Sequence, residues 1–332
     1  MTTLLAVDIG GTKCELAVFS MTVPDYVPLA NCRYPSREYG GIEEIIAAFM
    51  RDTGLRPNYA CLDVAGVTDQ QSATVTNLPW LINACSITKL FGFQRTVLLN
   101  DMTAVCASIA LLGRDDLLEL QRGEENCGEM IAVIAPGTGL GEGLLLQSEM
   151  IFFPRGCEGG HADFAPVDEE QAELLAWMMH KTRVPVTYED LIAGPGIPYL
   201  YDFLRETGRG VESAVITTAL QEANDRTPVI VNGALGASPC PLCRRAVELF
   251  LAILGSEAGN LALKLYAKGG LYIGGGIMPR LAGQISFAGF LENFHRKGKM
   301  AKLMDTIPVH LIMKKNAALL GAARYGMVTF AR

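Results

Sequence analysis

The chain opens on an apolar run from Leu4 to Ile9, interrupted by Asp8. It turns at Gly10-Gly11-Thr12 and resumes as an apolar run from Glu15 to Phe19. Two apolar runs around a Gly-rich turn predict a β-hairpin. Ile42 to Met50 places its apolar residues at helical spacing, and Tyr59 to Val64 and Ala73 to Thr76 read as strands. Thr96 to Leu99 is a short buried strand that ends at Asn100-Asp101 and gives way at once to an apolar helix, Met102 to Leu112. The charged stretch Gly113 to Glu129 then breaks the pattern.

A second cycle follows. Met130 to Ile134 reads as strand, Pro136 to Gly143 as a Gly-rich turn, and Leu144 to Leu146 as strand again. Helical stretches fill Glu169 to His180, Gly196 to Leu204, Val211 to Asn224 and Cys240 to Ala267. A short strand, Leu271 to Ile273, runs into Gly274-Gly275-Gly276. Pro308 to Met313 reads as strand and Ala317 to Gly326 as a closing helix. The unit of strand, Gly-Thr turn and strand thus occurs twice, a weak internal repeat. Alternating strands and helices predict the α/β class.

Composition narrows the function classes. A length of 332 residues suits one large domain or two ordinary ones. With 50% apolar and 19% charged residues, a sizeable core is available and disorder is excluded as the main state. The net charge of −7 argues against a nucleic-acid partner. The amino terminus lacks the charged region of a signal peptide. No stretch approaches the roughly 18 consecutive apolar residues of a membrane span, so no membrane partner is expected. The nine cysteines are scattered and read as free thiols, most of them buried, in a reducing cytoplasm.

Against this background the Gly clusters stand out. After Asp8, Gly10 and Gly11 let the backbone approach an anion, and their N–H groups can cradle phosphate. Asp8 would hold Mg²⁺ through water, since that ion keeps part of its hydration shell. The turn at Gly137-Thr138-Gly139 offers the same chemistry, and Gly275-Gly276 suits close packing against a base or ribose. Each cluster alone is also a plain tight turn; three strand-ended clusters in one chain point to phosphate. Neither a dinucleotide fingerprint nor a Walker A loop is present.

Leu98-Leu99-Asn100-Asp101 delivers an amide and a carboxylate at a strand end. Asp101 can accept a hydroxyl proton while Asn100 bonds the same polyol, or Asp101 can cap the helix. Gly156 to Phe164 gathers Glu158, His161 and Asp163 around two glycines. With one His, metal ligation is a poor fit, and hydroxyl recognition by Glu158 and His161 a better one. Glu189 is either a further hydroxyl acceptor or an exposed helix acid. Cys240-Pro241-Leu242-Cys243 has no second pair and reads as structural.

Taken in order, Asp8-Ile9-Gly10-Gly11-Thr12, Asn100-Asp101-Met102-Thr103-Ala104-Val105, Gly137-Thr138-Gly139-Leu140-Gly141, Glu158-Gly159-Gly160-His161-Ala162-Asp163-Phe164-Ala165-Pro166, Gly194-Pro195-Gly196, Cys243-Arg244-Arg245-Ala246, Gly259-Asn260-Leu261-Ala262-Leu263 and Gly274-Gly275-Gly276-Ile277 resemble the bacterial-type glucokinases of the hexokinase–actin-like ATPase superfamily. The run from Glu158 to Pro166 is specific and the Gly turns are not. The resemblance implies an actin-like ATPase (ribonuclease H-like) fold, with mixed sheets flanked by helices and an active-site cleft between two domains. The smaller would be 1–108 with the C-terminal helix 314–332, the larger 109–313. It implies ATP- and Mg²⁺-dependent phosphorylation of glucose, or a related hexose, at the 6-hydroxyl, with a homodimer as the candidate assembly. Asp101 would be the base. Asn100, Glu158, His161 and Glu189 would hold the sugar. Asp8, Gly10, Gly11, Thr12, Gly137, Thr138, Gly139, Gly275 and Gly276 would hold ATP and its metal. A kinase for another hexose or amino sugar, or a silent sugar sensor of the same fold, is the alternative. Lys13 and Pro136 depart from the family pattern, and Pro136 offers no N–H.

Overall fold

Leu4 to Val7 are all buried. A strand covered on both faces has this continuous pattern, whereas a half-exposed strand alternates. The computed structural model describes residues 1–22, 25–69, 71–124 and 128–331. In chain order its first elements are β1 (Thr3–Ile9), β2 (Lys13–Ser20), β3 (Pro28–Pro35), α1 (Ile42–Thr53), β4 (Tyr59–Val64), β5 (Ser72–Thr74), β6 (Leu81–Asn83), α2 (Ala84–Phe91), β7 (Arg95–Asn100) and α3 (Asp101–Ser108). Then come β8 (Leu117–Gln121), β9 (Met130–Pro136), β10 (Leu140–Gln147), β11 (Phe152–Cys157), α4 (Glu169–Thr182), α5 (Glu189–Ile192), α6 (Ile197–Glu206), α7 (Ala214–Glu222), α8 (Arg226–Gly233) and α9 (Pro241–Leu265). The chain closes with β12 (Leu271–Ile273), α10 (Met278–Leu281), α11 (Ala288–His295), α12 (Ala301–Thr306), β13 (Val309–Ile312) and α13 (Ala317–Phe330).

The chain forms two compact units. The first holds residues 1–116, 143–156 and 314–332; the second holds 117–142 and 157–313. Residues 109–116 and the segment 143–156 thus group with the amino-terminal part, whereas the sequence expectation placed them in the larger domain. Residues 125–127, within the charged stretch, lie outside the described residues, and Cys127 with them. Of the eight described cysteines, all unbridged, Cys14, Cys61, Cys106, Cys240 and Cys243 are buried, Cys32 is half-buried, and Cys85 and Cys157 are exposed.

In the first unit the sheet order is β3-β2-β1-β4-β7. β1 pairs antiparallel with β2 and parallel with β4, and β4 pairs parallel with β7. On one face Leu5, Val7 and Ile9 join Leu62 and Val64 with Ile45, Ile46 and Phe49 of α1. On the other, Leu4, Ala6, Cys61 and Leu99 pack with Ala104 of α3 and Leu319, Ala322 and Ala323 of α13. Gly321 lets α13 and α3 touch, because a Cβ there would overlap the Ala104 carbonyl oxygen.

The second unit is built on parallel β9, β12 and β13, with β8 antiparallel beside β13. Its core runs through α9, whose Leu249, Phe250, Ile253 and Leu254 are buried with Phe290 and Phe294 of α11. By length and hydropathy α9 could cross a membrane, but 78% of its most apolar 18-residue window is buried inside the protein. It is therefore accounted for as a core helix.

Candidate active site

In the first unit, parallel pairing sets three strand ends in line. Asp8 of β1 lies opposite Asp63 of β4, and Val64 lies opposite Asn100 of β7. Ligand groups in α/β folds collect at the carboxyl ends of parallel strands for this reason. Asn100, not Asp101, is the N-cap of α3: its Oδ1 accepts from the Met102 N–H at 3.0 Å, and its Nδ2 donates to the Gly66 carbonyl at 3.3 Å. Asp101 is the first helical residue, and its Oδ1 accepts from the Met102 N–H at 2.8 Å.

The strand ends form an acidic cluster. Burial, then the charges of Glu15 and Asp101, push Asp8 up to about 6, against the pull of Lys13. Within it Glu15 is held by Arg33 Nε at 2.7 Å and Asn31 Nδ2 at 3.1 Å. Asp63 is wholly buried, and neither of its carboxyl oxygens meets a conventional donor among the described residues. Burial, then Asp8 and Asp101, hold it well above the usual carboxylate range. A proton held by the pair joins Asp63 to Asp8 by a hydrogen bond, and the shifts favour Asp63 as its carrier. Sequence reasoning passed over Asp63; the signal was an acid inside the apolar strand Cys61-Leu62-Asp63-Val64.

The turn after β1 is fixed by its own backbone. The Gly10 N–H donates to the Lys13 carbonyl at 3.1 Å, and Ser36 Oγ donates to the Gly10 carbonyl at 2.7 Å. Gly11 packs against the Thr76 carbonyl, and Thr12 is exposed. A hydrated divalent cation fits this place, since Asp8, Glu15, Asp63 and Asp101 bring more acidic than basic groups to it, with Lys13 the positive charge acting on Asp8. Among the described residues no group of three or more His, Cys, Asp or Glu side chains could enclose a metal ion. An ion bound here therefore keeps water, as Mg²⁺ does.

In the second unit, the turn between β9 and β10 is held from three sides. The Gly137 N–H donates to the Gly139 carbonyl at 2.8 Å, and the Gly194 N–H donates to the Gly137 carbonyl at 2.8 Å. Glu189 Oε2, at the start of α5, accepts from the Leu140 N–H at 2.7 Å. No partner is found for the N–H groups of Thr138 and Gly139 among the described residues. Glu189 is thus half-buried and tied to this turn rather than an exposed helix acid. Gly275 has φ of +81°, and a Cβ there would overlap the Pro136 carbonyl. The third Gly cluster therefore lies against the start of the second, and Gly276 is exposed.

Glu158 caps the start of a single 3₁₀ turn, Gly159–His161, after β11, and His161 is its last residue. Their side chains are 79% and 58% exposed, with His161 Nε2 3.8 Å from Glu158 Oε2. Both can reach a ligand, and among the described residues neither side chain is committed to another group by a short bond.

The glucokinase family profile matches residues 5–328, a span that includes every candidate residue above. The chain belongs to the glucokinase family. It is similar to a glucokinase of Nostoc sp., 36% identical over 97% of this chain and 98% of that protein. A glucokinase of Colwellia psychrerythraea is 33% identical over 97% and 95%. Among solved structures, a glucokinase from an Antarctic psychrotroph superposes with a TM-score of 0.81 at 28% identity, covering 98% of this chain and 99% of that one. A ROK family glucokinase from Streptomyces griseus, in complex with glucose and AMPPNP, shares the fold at a TM-score of 0.67 and 17% identity over 98% of this chain and 99% of that one. These likenesses establish the actin-like ATPase architecture of the glucokinase family for this chain.

Proposed function

We propose that this chain transfers the terminal phosphoryl group of ATP to the 6-hydroxyl of glucose. The observation that carries the reading is the glucokinase family match across residues 5–328, a span containing the Asn100-Asp101 pair at a buried strand end. Phosphoryl transfer requires positioning and charge neutralisation more than covalent chemistry from the protein.

Asp101 accepts the proton of the attacking hydroxyl. It is the first residue of α3, at the positive end of that helix. Glu158 and His161 bond sugar hydroxyls. Asn100 contributes from the cap position, where its amide already bridges α3 and Gly66. Glu189 commits Oε2 to the Gly turn, which leaves Oε1 for the sugar. The N–H groups of Gly11, Thr12, Thr138 and Gly139 meet phosphate oxygens, and Gly275 and Gly276 lie along the nucleoside. Asp8 would hold Mg²⁺ through water, and the ion, when bound, would supply positive charge to offset that of the phosphates.

A coupled ADP-release assay across glucose, mannose, fructose, galactose and glucosamine tests the proposal. Glucose should give the highest kcat/KM. No ADP release with any sugar would overturn the kinase reading, and a faster sugar would replace glucose as the substrate.

A further inference from the structure

Beneath the Glu158–His161 turn lies a carboxyl group with no role in the reaction described above. Glu142 of β10 is 1% exposed. A Cβ on Gly159 would overlap its Oε2, so the carboxyl sits directly under the backbone that joins Glu158 to Gly160. Its Oε1 has no hydrogen-bond partner among the described residues.

The charged groups around it belong to other partners. Glu257 of α9, wholly buried, accepts from Asn260 Nδ2 at 2.9 Å and stands 3.5 Å from Lys264 Nζ. Lys297, which follows α11, donates to the Ser256 carbonyl at 2.8 Å and to Asn260 Oδ1 at 2.7 Å. Tyr188, beside α5, meets Asn260 Nδ2 at 3.2 Å. On the turn itself the neighbours are Cys157, Glu158 and His161. Glu142 is thus a buried acid whose Oε1 has no partner among the described residues, with a second buried acid, Glu257, near enough to act on its charge. Burial, then Glu257, push it up to about 7, with Lys264 pulling the other way. A buried charge without a partner costs far more than the neutral acid.

We propose that Glu142 is a positioning residue for glucose: its buried carboxyl packs under Gly159 and holds Glu158 and His161 in the sugar-binding arrangement. Ionised, the same group is opposed by the charge of Glu257 and has no donor to Oε1 among the described residues. It then draws in water or swings out, and either movement displaces Gly159. Glucose therefore binds better to the protonated form, and affinity falls as pH rises through the neutral range. This inference rests on the kinase reading. It concerns the sugar half alone, so it moves KM and leaves kcat to Asp101.

Glucose affinity by calorimetry, with KM and kcat, measured for the wild type, Glu142→Gln and Glu257→Gln tests it. With one proton linked to binding, wild-type Kd should rise about tenfold or more between about pH 5.5 and about pH 8.5. Glu142→Gln keeps the shape without the charge, so its Kd should stay near the wild-type acid value throughout. Glu257→Gln removes the like charge, and the rise should move to lower pH. His161 is common to all three proteins, so its contribution cancels in the comparison. A rise that persists unchanged in Glu142→Gln, or a flat wild-type profile, overturns this proposal alone. A wild type that binds no glucose at any pH overturns the kinase reading and this proposal together.

Discussion

At the residue scale, Asp101 separates a catalytic role from a structural one. The cap of α3 is Asn100, so Asp101→Asn removes no cap and is nearly isosteric. The fold should survive, and kcat should fall by about 10²–10⁴, the usual cost of losing a general base. Glucose affinity should change much less, because an amide still bonds the hydroxyl. Steady-state kinetics with a separate measurement of glucose binding reads both. A near-normal kcat would mean that Asp101 is not the proton acceptor. Asp63 and Glu142 mark what one residue in a sequence does not reveal. Each looks like an ordinary acid in an apolar strand. Only burial with neighbouring carboxylates makes them unusual, and burial is set by elements distant in sequence.

At the element scale, legibility followed the strength of the periodic pattern. β1, β4, β7 and β12 were read directly because a buried strand is a continuous apolar run. β10 begins at Leu140, inside the stretch read as turn, because its Gly141 and Gly143 resemble turn residues. β3 went unread because it is an edge strand: most of Pro28–Pro35 is exposed or half-exposed, and it needs no apolar face. β8 lies in the charged stretch and is held by pairing with β13, not by its own pattern. Contacts between elements were equally invisible. Gly321 sits in a helix that its sequence would also permit with Ala, yet α13 and α3 meet backbone to backbone there. Gly321→Ala should therefore cost roughly 1–3 kcal/mol as overpacking forces the helices apart. The thermal midpoint reads this; an unchanged value would show that the two helices can separate without loss.

At the scale of the whole molecule, residues 314–332 belong to the unit that residues 1–116 begin. Leu319, Ala322, Ala323 and Met327 cover Leu4, Ala6, Phe19 and Leu99 on one face of the sheet. A chain ending at Met313 should lose cooperative unfolding and expose that face to a hydrophobic dye. A sharp transition close to that of the full-length protein would show that α13 is dispensable.

What the sequence determined by itself is local. Leu4 to Ile9, the three Gly clusters and the run from Glu158 to Pro166 carry their meaning in the order of neighbouring residues. Strand period, turn chemistry and the family resemblance are all written at that range. Tertiary structure alone decided that Asn100 takes the cap and that Glu189 anchors the Gly137–Gly139 turn. It also decided that Asp63 faces Asp8 and that Glu142 lies under Gly159. These outcomes depend on dielectric and partners, which are properties of the space around a side chain. That space is filled by strands and helices from remote parts of the chain, so no local pattern specifies it.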